Sequence, residues 1–174
     1  LITIFSPLLF SNQKEIGNII FTGNEYLTVE VLSNSIPIKK SSLFNKFYYN
    51  SRSLKLSAIK LKNLYNSKGF INVKVNPEIN ELNDKIHINF IIEEGDQYTI
   101  KEITFVGNRI FSSYELMEIL DVKVENVFNP LKITKQLKNI IRKYLESGKF
   151  YISIMDELFE ENNKVSIRIN ISEG

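Results

Sequence analysis

An α+β fold of two tandem β-α-α-β-β units, each a three-stranded mixed sheet covered by two helices on one face, is predicted by three features of the sequence. First, Ile16-x-x-Ile19-Ile20-Phe21-Thr22-Gly23-Asn24 recurs 84 positions later as Ile100-x-x-Ile103-Thr104-Phe105-Val106-Gly107-Asn108. Second, Tyr65-x3-Gly69 and Glu94-Gly95 recur 79 positions later as Tyr144-x3-Gly148 and Glu173-Gly174. Third, the apolar period between these markers switches in one order: strand, helix, helix, strand, strand. The five-residue change of offset falls between the two helices of a unit, where a loop absorbs it. The expected units are residues 14–95 and 96–174, joined with little linker, with residues 1–13 ahead of them.

Each unit opens with a short strand, Ile16–Thr22 or Thr99–Val106, ending in Gly-Asn, a pair that favours a tight turn. A first helix follows near Thr28–Ile36 and Ser112–Leu120, the second with the Ser-x-x-Glu spacing of a capping box at Ser112 and Glu115. A longer helix is expected near Leu54–Ser67 and Pro130–Ser147, the latter entered by Asn129 as cap and Pro130 at the first helical position. Leu54, Ala58, Leu61 and Tyr65, like Ile133, Leu137, Ile140 and Tyr144, are spaced i, i+4, i+7, i+11 and share one helix face. Gly69 and Gly148 fall just beyond, where a helix ends in positive φ. Two alternating strands close each unit: Ile71, Val73, Val75 then Ile86, Ile88, Phe90, Ile92, and Phe150, Ile152, Ile154 then Val165, Ile167, Ile169, Ile171. Six of the seven glycines are paired by the repeat, so Gly23, Gly69, Gly95, Gly107 and Gly148, with Asn24 and Asn108, are structural markers rather than a phosphate loop.

Composition removes most chemistry. The chain has 174 residues, 43% of them hydrophobic and 24% charged, enough to bury a core. It has no cysteine, which excludes disulfides, thiol nucleophiles and cysteine-based metal sites, and one histidine, His87, which makes a histidine cage or a conventional Ser-His-Asp relay very hard to assemble. The net charge of +2 is too small to imply nucleic acid. Glu93-Glu94 and Glu160-Glu161 are the best acid/base candidates, but adjacent strand residues point to opposite faces, and solvated turns are the expected reading. His87 is expected on the solvent side, opposite Ile86 and Ile88. No catalytic, metal-binding or cofactor-binding residue is assigned, and the protein is not expected to be an enzyme.

Residues 1–12 carry no charge, and their apolar stretch is about ten residues long. That is short of the roughly 20 needed to span a bilayer, and it matches the apolar core of a secretory signal peptide with small residues near Ser11. The expectation is an exported protein and a chain excerpted from a longer one; a terminal strand is the alternative.

The order I-x-x-I-x-F-x-G-N, then Y-x3-G before an alternating hairpin, then E-G leading into the next unit resembles the POTRA domains of the BamA/TamA family. The resemblance covers residues 14–174. It implies periplasmic repeats ahead of a C-terminal outer-membrane β-barrel. It further implies capture of unfolded outer-membrane protein clients or assembly-complex subunits and their delivery to that barrel. The POTRA module of a two-partner secretion transporter is the alternative within the class. From another class, a KH-like nucleic-acid module shares the β-α-α-β core, but it needs a GXXG loop between helices, and neither inter-helix segment contains glycine. No nucleic-acid partner is expected.

Connection rules put the first strand parallel to the last and leave the second strand on an edge. Its unpaired backbone is the expected site of protein binding by strand addition: Ile71, Asn72, Val73, Lys74, Val75 and Asn76 in unit one, Phe150, Tyr151, Ile152, Ser153, Ile154 and Met155 in unit two. On this reading Lys74 and Ser153 are the positions where proline would weaken peptide binding more than folding. The segment Pro37–Ser53 interleaves Lys39, Lys40, Lys46 and Arg52 with Phe44, Phe47, Tyr48 and Tyr49. Such a pattern suits a protein contact, anionic lipid or single-stranded nucleic acid. The expected reading is plainer: aromatics folded back on the helices and lysines in solvent.

Overall fold

The structure, a computed structural model, describes residues 13–174. The signal-peptide reading falls on residues that lie outside this range. The first repeat runs β1 (Glu15–Thr22), α1 (Val29–Ser35), α2 (Ser51–Asn66), β2 (Lys74–Leu82) and β3 (Lys85–Glu93). The second runs β4 (Thr99–Val106), α3 (Ser113–Leu120), α4 (Pro130–Glu146), β5 (Ser153–Glu161) and β6 (Lys164–Ser172). Strand orders are β1-β3-β2 and β4-β6-β5, with the outer pairs parallel and antiparallel respectively, as the connection rules require.

Burial follows the apolar alternation. Ile86, Ile88, Phe90 and Ile92 of β3, and Val165, Ile167, Ile169 and Ile171 of β6, are buried. In the second repeat they join Leu116 and Leu120 of α3 and the Ile133, Leu137, Ile140, Tyr144 stripe of α4 in one core. In the first, Leu32, Leu54, Leu61 and Tyr65 are buried, and Phe21 stacks on Phe90 at 5.5 Å between centroids. Ser112 and Glu115 form the capping box, and Asn129 Oδ1 accepts the Lys132 amide 3.0 Å away. Residues as far as Leu61 with Lys74–Glu93 form one compact unit, and Lys62–Val73 with Glu94–Gly174 form the other.

The six glycines paired by the repeat are the six at positive φ. Gly23 and Gly107 need that freedom most: a Cβ on either would lie 2.1 or 2.2 Å from the carbonyl oxygen of Ile92 or Ile171. Gly17, the unpaired one, sits at a β-bulge, and a Cβ there would lie 2.9 Å from the ring of His87. His87 is therefore half-buried against Gly17, not free in solvent as expected. The second repeat solves the same position in reverse, with the bulge at Lys101 and the small Ser166 in place of the ring.

Candidate protein-binding strand edges

Two edges of each sheet lie open to pairing, and the inter-helix segments treat them unequally. Ile16 donates to Phe47 O at 2.8 Å and accepts from Ser41 N at 2.9 Å; Ile100 donates to Asn126 O at 2.9 Å and accepts from Glu125 N at 2.8 Å. The starts of β1 and β4 are thus covered by their own chain. Among the described residues, no backbone bond from outside the sheets reaches β2 or β5. These are the free edges.

Structure moves the strand boundaries. Lys74, Val75, Asn76, Ser153, Ile154 and Met155 lie in the edge strands, but Ile71, Asn72, Val73, Phe150, Tyr151 and Ile152 precede them. Val73 is buried, whereas Phe150 and Tyr151 are 74% and 87% exposed beside the start of β5. The strands also run further than expected, because the turns are only two residues long. Asn83-Asp84 and Asn162-Asn163 hold φ of 51°, 58° and 50°, 60°, the twist that suits a two-residue hairpin.

The hairpin fixes which backbone groups face outward. Residues flanking a two-residue turn exchange hydrogen bonds, so Leu82↔Lys85 and every second pair back from it (Asn80↔His87, Glu78↔Asn89, Asn76↔Ile91) carry the ladder. Val75, Pro77, Ile79 and Glu81 then turn their backbone groups away from β3, which is the side on which a residue lacking N–H belongs. The same register in β5 turns Ile154, Asp156, Leu158 and Glu160 outward. Asp156 occupies the place of Pro77. The edge of β2 therefore lacks a donor at its centre, and that of β5 has all four. Lys74 and Ser153 face their own sheets, so proline there would break the ladder. The positions expected from sequence are corrected by this register.

The motif residues hold the ends of these sheets together. Tyr65 donates to Glu94 Oε1 at 2.7 Å, and Tyr144 donates to Glu173 Oε1 at 2.9 Å. Glu173 Oε1 also accepts the amides of Arg109 and Ile110 at 2.8 and 3.0 Å. Asn24 Nδ2 donates to Leu27 O at 2.9 Å, and Asn108 Nδ2 to Phe111 O at 3.0 Å. The backbone amide of Ile110 first, then, against the effect of burial, that of Arg109 and the Tyr144 hydroxyl hold the Glu173 carboxyl below its ordinary value. Burial, then the neighbouring carboxylate, pushes both tyrosines well up. Glu94 is thus a structural acceptor rather than a solvated turn residue, and the recurrence of Tyr and Glu at fixed spacing was the signal for it. Glu93 pairs with Lys74 at 2.9 Å and Glu161 with Lys101 at 2.6 Å. A groove of about 350 Å³ lined by Ile19, Val29, Ile36, Ile38, Lys39 and Lys40 gathers two lysines but no carboxylate or histidine. Among the described residues, no three carboxylate, histidine or cysteine side chains cluster as a metal would need, and no helix is long and apolar enough to cross a membrane.

Residues 14–95 and 98–174 each match the family model described as POTRA, surface antigen variable number repeat. The chain belongs to the POTRA family and carries two such domains in tandem. Over 93% of its length it is 25% identical to the outer membrane protein assembly factor BamA of Neisseria meningitidis serogroup B, and over 91% it is 22% identical to BamA of Buchnera aphidicola. It spans 22% and 28% of those two proteins. In fold it is similar to Haemophilus influenzae BamA POTRA3-5, with a TM-score of 0.72 at 16% identity, covering 93% of this chain and 67% of that one. POTRA1-2 of the periplasmic domain of Omp85 from Anabaena gives 0.57 at 15% identity, covering 93% and 96%.

Proposed function

We propose that these POTRA domains act in the periplasm as the client-receiving part of an outer-membrane assembly factor. They capture unfolded outer-membrane polypeptides or partner subunits by strand addition and pass them to a C-terminal barrel. The observation that carries this reading is the edge of β5, where Ile154, Asp156, Leu158 and Glu160 turn four consecutive pairs of donors and acceptors outward. Backbone recognition is tolerant of client sequence, which suits a relay that handles many polypeptides. No catalytic step is assigned to the chain, and the names of its BamA relatives describe assembly.

The register also makes the two domains unequal. β2 is interrupted by Pro77, so β5 is the principal docking strand. Exposed Phe150, Tyr151, Met155 and Phe159 around it offer apolar contacts to the alternate side chains of an added strand. Titrating the labelled chain with an extended peptide of alternating apolar residues should shift and protect the amides of Ile154, Asp156, Leu158 and Glu160. Protection confined to β2, or to neither edge, rejects the assignment.

A further inference from the structure

The inter-helix segment of the first repeat does not fold back as its sequence led one to expect. Leu43 and Phe44 are 92% and 93% exposed, and Phe47 and Tyr48 are exposed beside them. This exposure belongs to an ordered turn. Ser42 N donates to Asn45 O at 2.8 Å, and Asn45 N donates to Ser42 Oγ at 3.1 Å. At its base Ser41 Oγ donates to Phe47 O and accepts from Phe47 N, at 3.0 and 2.9 Å, while Ser41 N is anchored on Ile16 O of β1. The four-residue tip is thus presented by the sheet with its polar backbone internally bonded.

Within the segment itself the charges have one sign. Residues 37–50 contain Lys39, Lys40 and Lys46 and no acid. Lys46 is shared with Glu15 at 2.9 Å, and Lys39 and Lys40 have no carboxylate partner among the described residues. Lys39 Nζ also reaches Ser33 O at 2.7 Å, a bond that leaves its charge intact.

We propose that the Leu43–Phe44 turn is a membrane-contacting wedge whose two apolar side chains enter the interface of an anionic bilayer while Lys39 and Lys40 meet its phosphate headgroups. Size decides between a bilayer and a protein as the occupant. Two side chains offer on the order of a few hundred Å², well under the roughly 800 Å² each partner gives to a stable protein interface. A bilayer needs only apolar side chains at the right depth and cations above them, with aromatics such as Phe47 and Tyr48 at the headgroup level. The wedge does not depend on β5 receiving clients.

The chain contains no tryptophan, so Phe44→Trp places a sole indole on the tip and Tyr114→Trp, an exposed site on α3, is its control. With the full chain and vesicles of phosphatidylethanolamine and phosphatidylglycerol, the Phe44→Trp emission should shift to the blue and be quenched by brominated acyl chains, and the Tyr114→Trp emission should not. Leu43→Ser with Phe44→Ser should lower vesicle binding roughly tenfold or more, and Lys39→Gln and Lys40→Gln about fivefold each. The proposal is overturned if the tip reporter is not quenched, if vesicle binding survives the serine pair, or if phosphatidylcholine vesicles bind equally well. It is also overturned if the tip reporter responds only to an unfolded outer-membrane polypeptide.

Discussion

Asp156→Pro should separate the proposed client binding from folding. The substitution removes one outward N–H from the middle of β5 and fixes φ near the value proline demands. Asp156 pairs with Ile169 in a register position that gives β6 no hydrogen bond, and the first repeat carries Pro77 at the equivalent place against Phe90. The fold should therefore lose less than about 1 kcal/mol, as edge positions tolerate proline. A client strand loses a central bond worth about 1 kcal/mol, and the ring denies it close approach on either side. Together these should weaken peptide binding by roughly tenfold, equivalent to about 1.4 kcal/mol. Glu157→Pro is the contrast: its N–H serves the ladder opposite Arg168, so the second domain should lose about 3 kcal/mol or more. Pro77→Ala should restore the missing donor and strengthen binding on β2. Anisotropy of a labelled extended peptide reads affinity, and urea unfolding followed by circular dichroism reads stability. Parental peptide affinity in a folded Asp156→Pro variant would refute strand addition at β5, and equal destabilisation by Asp156→Pro and Glu157→Pro would refute the register.

Gly107→Ala, whose Cβ would lie 2.2 Å from Ile171 O, should cost about 2 kcal/mol or more, whereas Gly148→Ala, with open space around it, should cost about 1 kcal/mol; urea midpoints measure both. Gly17→Ala should destabilise the first domain by about 1–3 kcal/mol through the His87 ring, and His87→Ser should recover most of it in a double-mutant cycle. Because the Glu173 carboxyl titrates lower folded than unfolded, its contribution is present above the ordinary carboxylate range and is lost as pH falls through the lowered value. Glu173→Gln should therefore flatten the acid limb of the stability profile. Tyr144 behaves in the opposite sense: its raised folded value makes stability fall as pH rises above about 10, and Tyr144→Phe should remove its share of that alkaline slope.

Repeat and alternation made the fold legible because both record local geometry. Ile86 to Ile92 could face the core only as a strand, and Gly107 could close β4 only where a side chain is excluded. The edge was legible in kind but not in register. Sequence places Ile71 and Phe150 at the starts of alternating runs, yet the ladder begins three residues later, at Lys74 and Ser153, since pairing and not apolar spacing sets where hydrogen bonds start. The importance of Pro77 emerges only when the turn at Asn83-Asp84 fixes the parity of the strand. Phe44 misled for a related reason. Composition predicts burial of such side chains, but a turn closed by Ser42 and Asn45 on a strand-anchored base holds them out.

The chemistry of β5 also bears on how the protein behaves among copies of itself. The strand carries Asp156, Glu157, Glu160 and Glu161, of which Asp156 and Glu160 have no ion-pair partner among the described residues. Antiparallel docking of two such edges would bring like charges into register, a repulsion that no client with neutral or basic side chains would meet. If β5 receives other chains as proposed, it is thereby disfavoured as a partner for its own image, and crowding should favour loading over self-association.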